Sequence, residues 1–248
     1  MSTVINPGIT LATAKRILNQ LRHDPRTIAM LLLVPTVLMV LLRFVFNNEM
    51  AFSRTAPALL GVFPFVIMFL IASITTLRER TTGTLERLMT LPMGRLDLLF
   101  GYAIAFGVLA TLQVTIATTV SLLWLGLDIA GSVWTLLLIT ILDALLGMAL
   151  GLFVSAFATS EFQAIQFMPV FALPQILLCG LFVPRDAMAN VLNWLSDVMP
   201  LSYAVDALTA VTVTENWDGT LVRNLIVVAA CAILALMLGA ATLRRRTP

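Results

Sequence analysis

The sequence predicts an all-α membrane protein with six transmembrane helices, and three observations carry that prediction. First, six apolar stretches occupy residues 27–46, 58–77, 98–126, 133–157, 163–183 and 223–243. Each runs about 20 residues or more, and at about 1.5 Å per helical residue this spans a hydrocarbon core of about 30 Å. Arg43 and Asp143 are the charged residues that interrupt them, with Arg223 standing at the edge of the last. Second, 60% of residues are hydrophobic and 11% charged, and mean hydropathy is +1.00. Soluble domains carry about 25% charged residues, so lipid must serve as part of the solvent. Third, the cations sort by side. With both termini in the cytoplasm, Lys15, Arg16, Arg22, Arg26, Arg78, Arg80, Arg87, Arg95 and Arg244, Arg245 and Arg246 fall inside. Arg54, Arg185, Arg223 and Arg43, near the outer end of the first span, fall outside. The positive-inside bias therefore orients the chain.

The whole of 1–248 reads as one transmembrane domain. Residues 1–26 form a cytoplasmic amphipathic helix, in which Leu11, Ala14, Ile17, Leu18 and Leu21 share a face opposite Lys15, Asn19 and Arg22. Such a helix lies along anionic headgroups at the inner membrane surface. His23-Asp24-Pro25 ends it and turns the chain into the bilayer. No cleavable signal is expected, because the first 22 residues lack an apolar core and the first span is of full length. Residues 47–57 are expected as a short outer loop. Residues 184–222 form a long outer segment, with apolar residues at helical spacing on either side of Pro200. Neither half is long enough to cross. They read as two short re-entrant or interfacial helices, with Trp194 and Tyr203 suited to the interface.

Several chemistries are excluded. A net charge of +2, with no basic patch interleaved with aromatics, gives no surface for nucleic acid. Cys179 and Cys231 lie inside apolar spans and read as small packing residues rather than a disulfide framework. The single histidine, His23, precedes the first span, so neither a metal cluster nor an intramembrane Ser–His pair is available. The single lysine, Lys15, does not follow a glycine-rich phosphate loop. The chain is therefore expected to hold no metal, no cofactor and no ATP site of its own, and to be no enzyme by itself.

Within the membrane, Asp143 begins a stripe with Gly147, Gly151 and Ser155 at four-residue spacing, where small residues admit a second helix closely. A carboxylate at that depth needs a partner or a wet cavity. Two roles stand open for Asp143: an interhelical hydrogen bond to Gln or Thr, or a coupling carboxylate in transport. Arg43 is expected to reach the outer interface, with a pairing to Asp143 as the alternative. Pro35, Pro64, Pro169 and Pro174 kink their spans. Phe44, Phe65, Phe69, Phe167 and Phe171, near those kinks, form a candidate apolar substrate path, although phenylalanine in a span more often packs or faces lipid.

The densest polar segment is 78–97. Within it Leu85, Leu88 and Met89 repeat at helical spacing, and Gly83 and Pro92 bracket about two turns. A short helix with one apolar face, held between two spans, is shaped to enter a groove on a partner. Glu79, then Gly83-Thr84-Leu85-Glu86-Arg87-Leu88, then Leu91-Pro92, resembles the coupling-helix region of the membrane subunit of type-2 ATP-binding-cassette (ABC-2) exporters. Gly180-Leu181-Phe182-Val183-Pro184, followed by Pro200-Leu201-Ser202-Tyr203-Ala204-Val205-Asp206-Ala207-Leu208, is similar to that family's last outer segment. The closest likeness is to the drug-resistance and polyketide-export branch, and lipid and polysaccharide exporters share the architecture.

The resemblance implies a permease driven by two separate cytoplasmic ATPase subunits, which bind the ATP and Mg, and paired with a second permease, identical or related. It places Leu85, Leu88 and Met89 in a groove of the ATPase, with Glu79, Gly83, Thr84, Glu86 and Arg87 making contacts around it. The cargo implied is a hydrophobic or amphiphilic compound, a drug, lipid or lipid-linked molecule, exported across a bacterial cytoplasmic membrane. A secondary transporter driven by an ion gradient, with Asp143 as coupling carboxylate, is the alternative.

Overall fold

The computed structural model describes residues 6–84, 87–88, 94–215 and 217–242. Within them the chain is all helical, with nine α-helices and no strand among the described residues. Five helices are long and apolar enough to cross a membrane: α2 (Pro25–Phe46), α3 (Glu49–Thr81), α4 (Arg95–Leu123), α5 (Val133–Val154) and α9 (Gly219–Thr242). The remaining four are α1 (Pro7–Arg22), α6 (Glu161–Leu178), α7 (Asn190–Val198) and α8 (Pro200–Val213).

Local chemistry sets the boundaries. The Asn6 side chain accepts from the Gly8 amide to start α1, and Asp24 from the Thr27 amide to start α2. Asn47 ends α2 in the left-handed conformation, and the Asn48 side chain caps α3 immediately afterwards. The expected outer loop 47–57 is therefore helical from Glu49 onward. Its polar residues lower hydropathy but do not break a helix, and Pro57 and Pro64 are absorbed within α3. Ser132 and Ser160 cap α5 and α6.

The stretch expected as a span over 163–183 ends early. α6 has 18 residues and stops at Leu178, because Gly180 takes φ +92° and Pro184 follows. Glu161, Gln163, Gln166 and Gln175, with two prolines, dilute its apolar character. At about 27 Å it is the shortest of the expected crossings.

The bundle is organised around α3, which packs most extensively on α5. A core beside α1, toward the Thr81 end of α3, joins Ile17, Leu31, Met68, Tyr102, Phe106 and Met148. A second, toward the Glu49 end of α3, joins Met39, Phe52, Leu60, Ala117, Leu136 and Leu208. α8 is no surface helix: Leu201, Ala204, Val205, Leu208 and Val211 are buried against α3, α5 and α9. The turn between α4 and α5 is tied to it, as Gly131 N donates to Val211 O at 2.9 Å and Ala130 N to Thr212 O at 3.2 Å. α7 leaves Val191 and Trp194 exposed.

Candidate functional site

The amphipathic α1 packs along α4 with a face rotated from the expected one. Thr10, Thr13, Ala14, Ile17 and Leu21 are buried, while Leu11 is 60% exposed. Thr13 sits directly over Gly101, where a Cβ would approach its Cγ2 to 2.6 Å. Small residues thus let α1 lie inside the bundle's edge.

α1 grips both shoulders of the polar segment between α3 and α4. On the α3 side, Arg16 Nη1 and Nη2 donate to Glu79 Oε1 and Oε2 at 2.8 and 3.3 Å. The Tyr102 hydroxyl, from α4, donates to the same carboxylate. On the α4 side, Asp97 Oδ1 accepts the Asn6 amide at 2.7 Å and the Thr10 hydroxyl at 3.2 Å. Asp97 Oδ2 accepts the Gly94 amide at 2.9 Å and so closes the start of α4. Burial works to lower the Arg16 pKa, but the hydrogen bonds and charge of Glu79 outweigh it and hold the guanidinium above its ordinary value.

Glu79, expected on the partner-facing surface, is only 2% exposed and is spent on this internal network. A carboxylate so buried requires paired donors, and Arg16 and Tyr102 supply them. Leu88, expected to enter a partner, is half-buried against the core formed by α1 and α4. Arg87 is exposed, and its amide donates to Gly83 O at 3.1 Å. Gly83 has φ +71° with open space around it, and Thr84 Oγ1 lies 3.0 Å from Thr82 Oγ1. Leu85, Glu86 and Met89 lie outside the described residues, as do Leu91, Pro92 and the terminal Arg244, Arg245 and Arg246.

In the membrane, α5 presents its stripe to α3 in parallel register. Gly61 lies beside Asp143, and a Cβ there would come within 3.2 Å of Asp143 Oδ2. A Cβ on Gly147 would meet the backbone carbonyl of Phe65, and one on Gly151 that of Phe69. Ser155 is buried and its hydroxyl donates to Leu152 O at 2.7 Å, within its own helix. The expected bond from Asp143 to Gln or Thr is not formed: both oxygens are buried without a hydrogen-bond partner. Arg43 is far from it in role, donating to Leu125 O and to Glu49 Oε1, both at 2.9 Å. It lies in the last turn of α2.

The five candidate path phenylalanines are not gathered. Phe65 and Phe69 are fully buried where α5 presses on α3, whereas Phe44 is 70% exposed. Phe167 and Phe171 stack edge to face on α6, with centroids 6.4 Å apart. Sequence reasoning missed Arg16, Asp97 and Tyr102. The signal available was a tyrosine and two acids placed at span ends, beside an amphipathic helix with an arginine at the edge of its apolar face.

An amphipathic helix clamps the polar segment between two of five helices long and apolar enough to cross a membrane, the frame of a polytopic membrane protein. Residues 8–213 match the family model described as ABC-2 type transporter. The chain belongs to that family, as a membrane permease domain. It is similar to "Probable multidrug ABC transporter permease YbhS" of Escherichia coli (strain K12), 28% identical over 72% of this chain and 48% of that protein. It is also similar to "Probable multidrug ABC transporter permease YbhR" of the same strain, 27% identical over 60% of this chain and 41% of that one. A third relative is "ABC transporter G family member 20" of Dictyostelium discoideum, 26% identical over 65% of this chain and 22% of that protein. The chain thus spans less than half the length of these relatives.

Proposed function

We propose that this chain is the permease subunit of an ATP-driven ABC exporter. Two cytoplasmic ATPase subunits dock on the segment around Gly83, Thr84, Leu85, Glu86, Arg87, Leu88 and Met89, and a second permease, identical or related, completes the path. ATP and Mg are bound by the ATPase subunits. The protein sits in a bacterial cytoplasmic membrane with both termini inside, and α6 makes the sixth crossing. Its cargo is hydrophobic or amphiphilic, in keeping with the multidrug wording in the names of two relatives.

What supports the docking role is the α1 clamp. Arg16 and Tyr102 hold Glu79 at one end of the segment, and Asn6 and Thr10 hold Asp97 at the other. A displacement of the segment therefore acts on α1, α3 and α4 together. For ATP to drive transport, its binding must change the interaction free energy of the ATPase with this segment. Glu79 then transmits the movement rather than touching the ATPase directly.

The test is Leu85→Asp combined with Glu86→Arg, which leaves the clamp intact. In proteoliposomes holding permease and ATPase, we expect loss of ATPase association, of vanadate-sensitive transport and of permease-stimulated hydrolysis. Full retention of all three sinks the assignment. Gradient-driven transport coupled at Asp143 is the alternative, favoured by that carboxylate's burial without a hydrogen-bond partner. Transport that needs an ion gradient, ignores ATP and is abolished by Asp143→Asn would establish it.

A further inference from the structure

A cavity of about 270 Å³ lies between α1, α2, α3 and the start of α6, at the cytoplasmic end of the bundle. Its walls divide by chemistry. Ile17 and Leu21 of α1 and Ile71 and Ile74 of α3 form an apolar side, while Asp24, Arg78 and Glu161 form a charged side. Arg78 directly follows the apolar stretch of α3, and Ile71 lies seven residues, or about 10 Å, deeper along the same helix. The cavity therefore runs from headgroup level into the start of the hydrocarbon.

The charged side is prepared for both signs. Arg78 Nε and Nη2 donate to Glu161 Oε1 and Oε2 at 3.0 and 3.3 Å, a pair that leaves Nη1 outside it. Asp24 accepts the Thr27 amide at 3.2 Å and the Thr27 hydroxyl at 2.7 Å, which leaves further lone pairs on both oxygens. These bonds hold Asp24 below its ordinary pKa, and the bond from Arg78 does the same for Glu161. Both are anionic at neutral pH. Gln20 and Thr75 add neutral polar groups to the wall.

We propose that this cavity binds the headgroup of a zwitterionic aminophospholipid of the inner leaflet. The phosphate meets Arg78 Nη1, the ammonium meets Asp24 and Glu161, and the first carbons of the chains lie along Ile71 and Ile74. A purely anionic headgroup would face two carboxylates against one guanidinium already shared, and a purely cationic amphiphile would face Arg78. The volume lies just below the range of about 300–1,000 Å³ typical of drug-sized ligands, so it suits a headgroup rather than a whole lipid.

The test uses the full chain, purified and delipidated in detergent, with native mass spectrometry counting bound molecules across a titration. The probes are dihexanoyl phosphatidylethanolamine, dihexanoyl phosphatidylglycerol and soluble O-phosphoethanolamine. Saturable one-to-one binding of the ethanolamine lipid is expected, with the glycerol lipid about tenfold weaker or more. Asp24→Asn, which keeps the helix cap, and Arg78→Gln, on an exposed side chain, should each weaken ethanolamine-lipid binding about tenfold. Equal binding of the two lipids, or unchanged binding in either variant, overturns the proposal. So does soluble O-phosphoethanolamine binding as tightly as the lipid, because the apolar wall would then contribute nothing. Nucleotide and ATPase are absent from this measurement, so its outcome is separate from that of the docking test.

Discussion

Arg16 lies fork-to-fork on the Glu79 carboxylate, at 2.8 and 3.3 Å, across 63 positions of sequence. The pair joins α1 to the Thr81 end of the longest described helix, and Tyr102 closes it from a third. Because the carboxylate is buried while the guanidinium is about a third exposed, the two partners are not equally replaceable. Loss of Arg16 strands a desolvated anion; loss of Glu79 leaves a cation that can still reach water.

A double-mutant cycle should show this asymmetry. Arg16→Met is expected to destabilise the protein by about 2–3 kcal/mol, at or just below the range of about 3–5 kcal/mol for breaking a fully buried pair, because Arg16 keeps some water. Glu79→Gln should cost less, since it retains an acceptor for Tyr102 and removes the charge. The double variant should lie well short of the sum, giving a coupling energy of about 1 kcal/mol or more. Thermal unfolding in detergent reads all three, and strict additivity would deny the pairing.

Helix contact between α3 and α5 has its own test. A methyl group on Gly147 or Gly151 meets main chain rather than a side chain, so the helices must separate to admit it. Gly147→Ala should destabilise by about 1–3 kcal/mol. Gly107→Ala, whose Cβ would meet only Leu145 Cδ2 at an ordinary 3.5 Å, serves as the control and should be tolerated. Equal melting temperatures for the two variants would contradict the close approach.

Asp143 gives a prediction of opposite sign. Its oxygens are buried without hydrogen-bond partners, and such groups carry a desolvation cost of about 1–3 kcal/mol. Asp143→Ala removes that cost and opens only a small space beside Gly61, so the melting temperature should hold or rise. ATP-dependent transport should survive Asp143→Asn. Its loss, with folding intact, would move this carboxylate into the transport cycle.

Acid should loosen the cavity between α1, α2, α3 and α6. Hydrogen bonds from Thr27 depress Asp24 below its ordinary 3.8, and those from Arg78 depress Glu161 below its ordinary 4.5. A depressed carboxyl contributes stability above its unfolded pKa and loses it as pH falls through the folded value. The loss therefore begins near those ordinary values and continues below them. Asp206 behaves oppositely: burial raises it despite the Arg185 pair, so its contribution fades as pH rises above its ordinary 3.8. Glu161→Gln should flatten part of the acid limb of a stability profile. The effect is small, under about 1 kcal/mol, because both Arg78 and Glu161 are about half exposed.

Much of the fold was legible because lipid imposes a coarse rule: an apolar run of sufficient length becomes a helix. α2, α5 and α9 follow their stretches to within a few residues. Hydropathy was blind to where polar helix continues, which is why α3 begins at Glu49 rather than near residue 58. It also overran α6, where Gly180 stops the helix although Leu181, Phe182 and Val183 stay apolar. The stripe from Asp143 to Ser155 was readable from spacing, since four-residue intervals fix a face. Its occupant, the backbone of Phe65 and Phe69, was not. Nor was the inward turn of Glu79, because flanking Arg78 and Arg80 make it look solvated. What decides its burial is Arg16 on another helix, a contact that no local pattern encodes.

α3 runs unbroken for 33 residues, about 50 Å, from its Asn48 cap to Thr81. It is one continuous helix that joins the two ends of the bundle, with Pro57 and Pro64 carried inside it. Whatever seizes the far tip, around Met50 and Arg54, also restrains the near tip, where Glu79 is held. A ligand held at the Met50 end would therefore be felt at the Glu79 end without touching it.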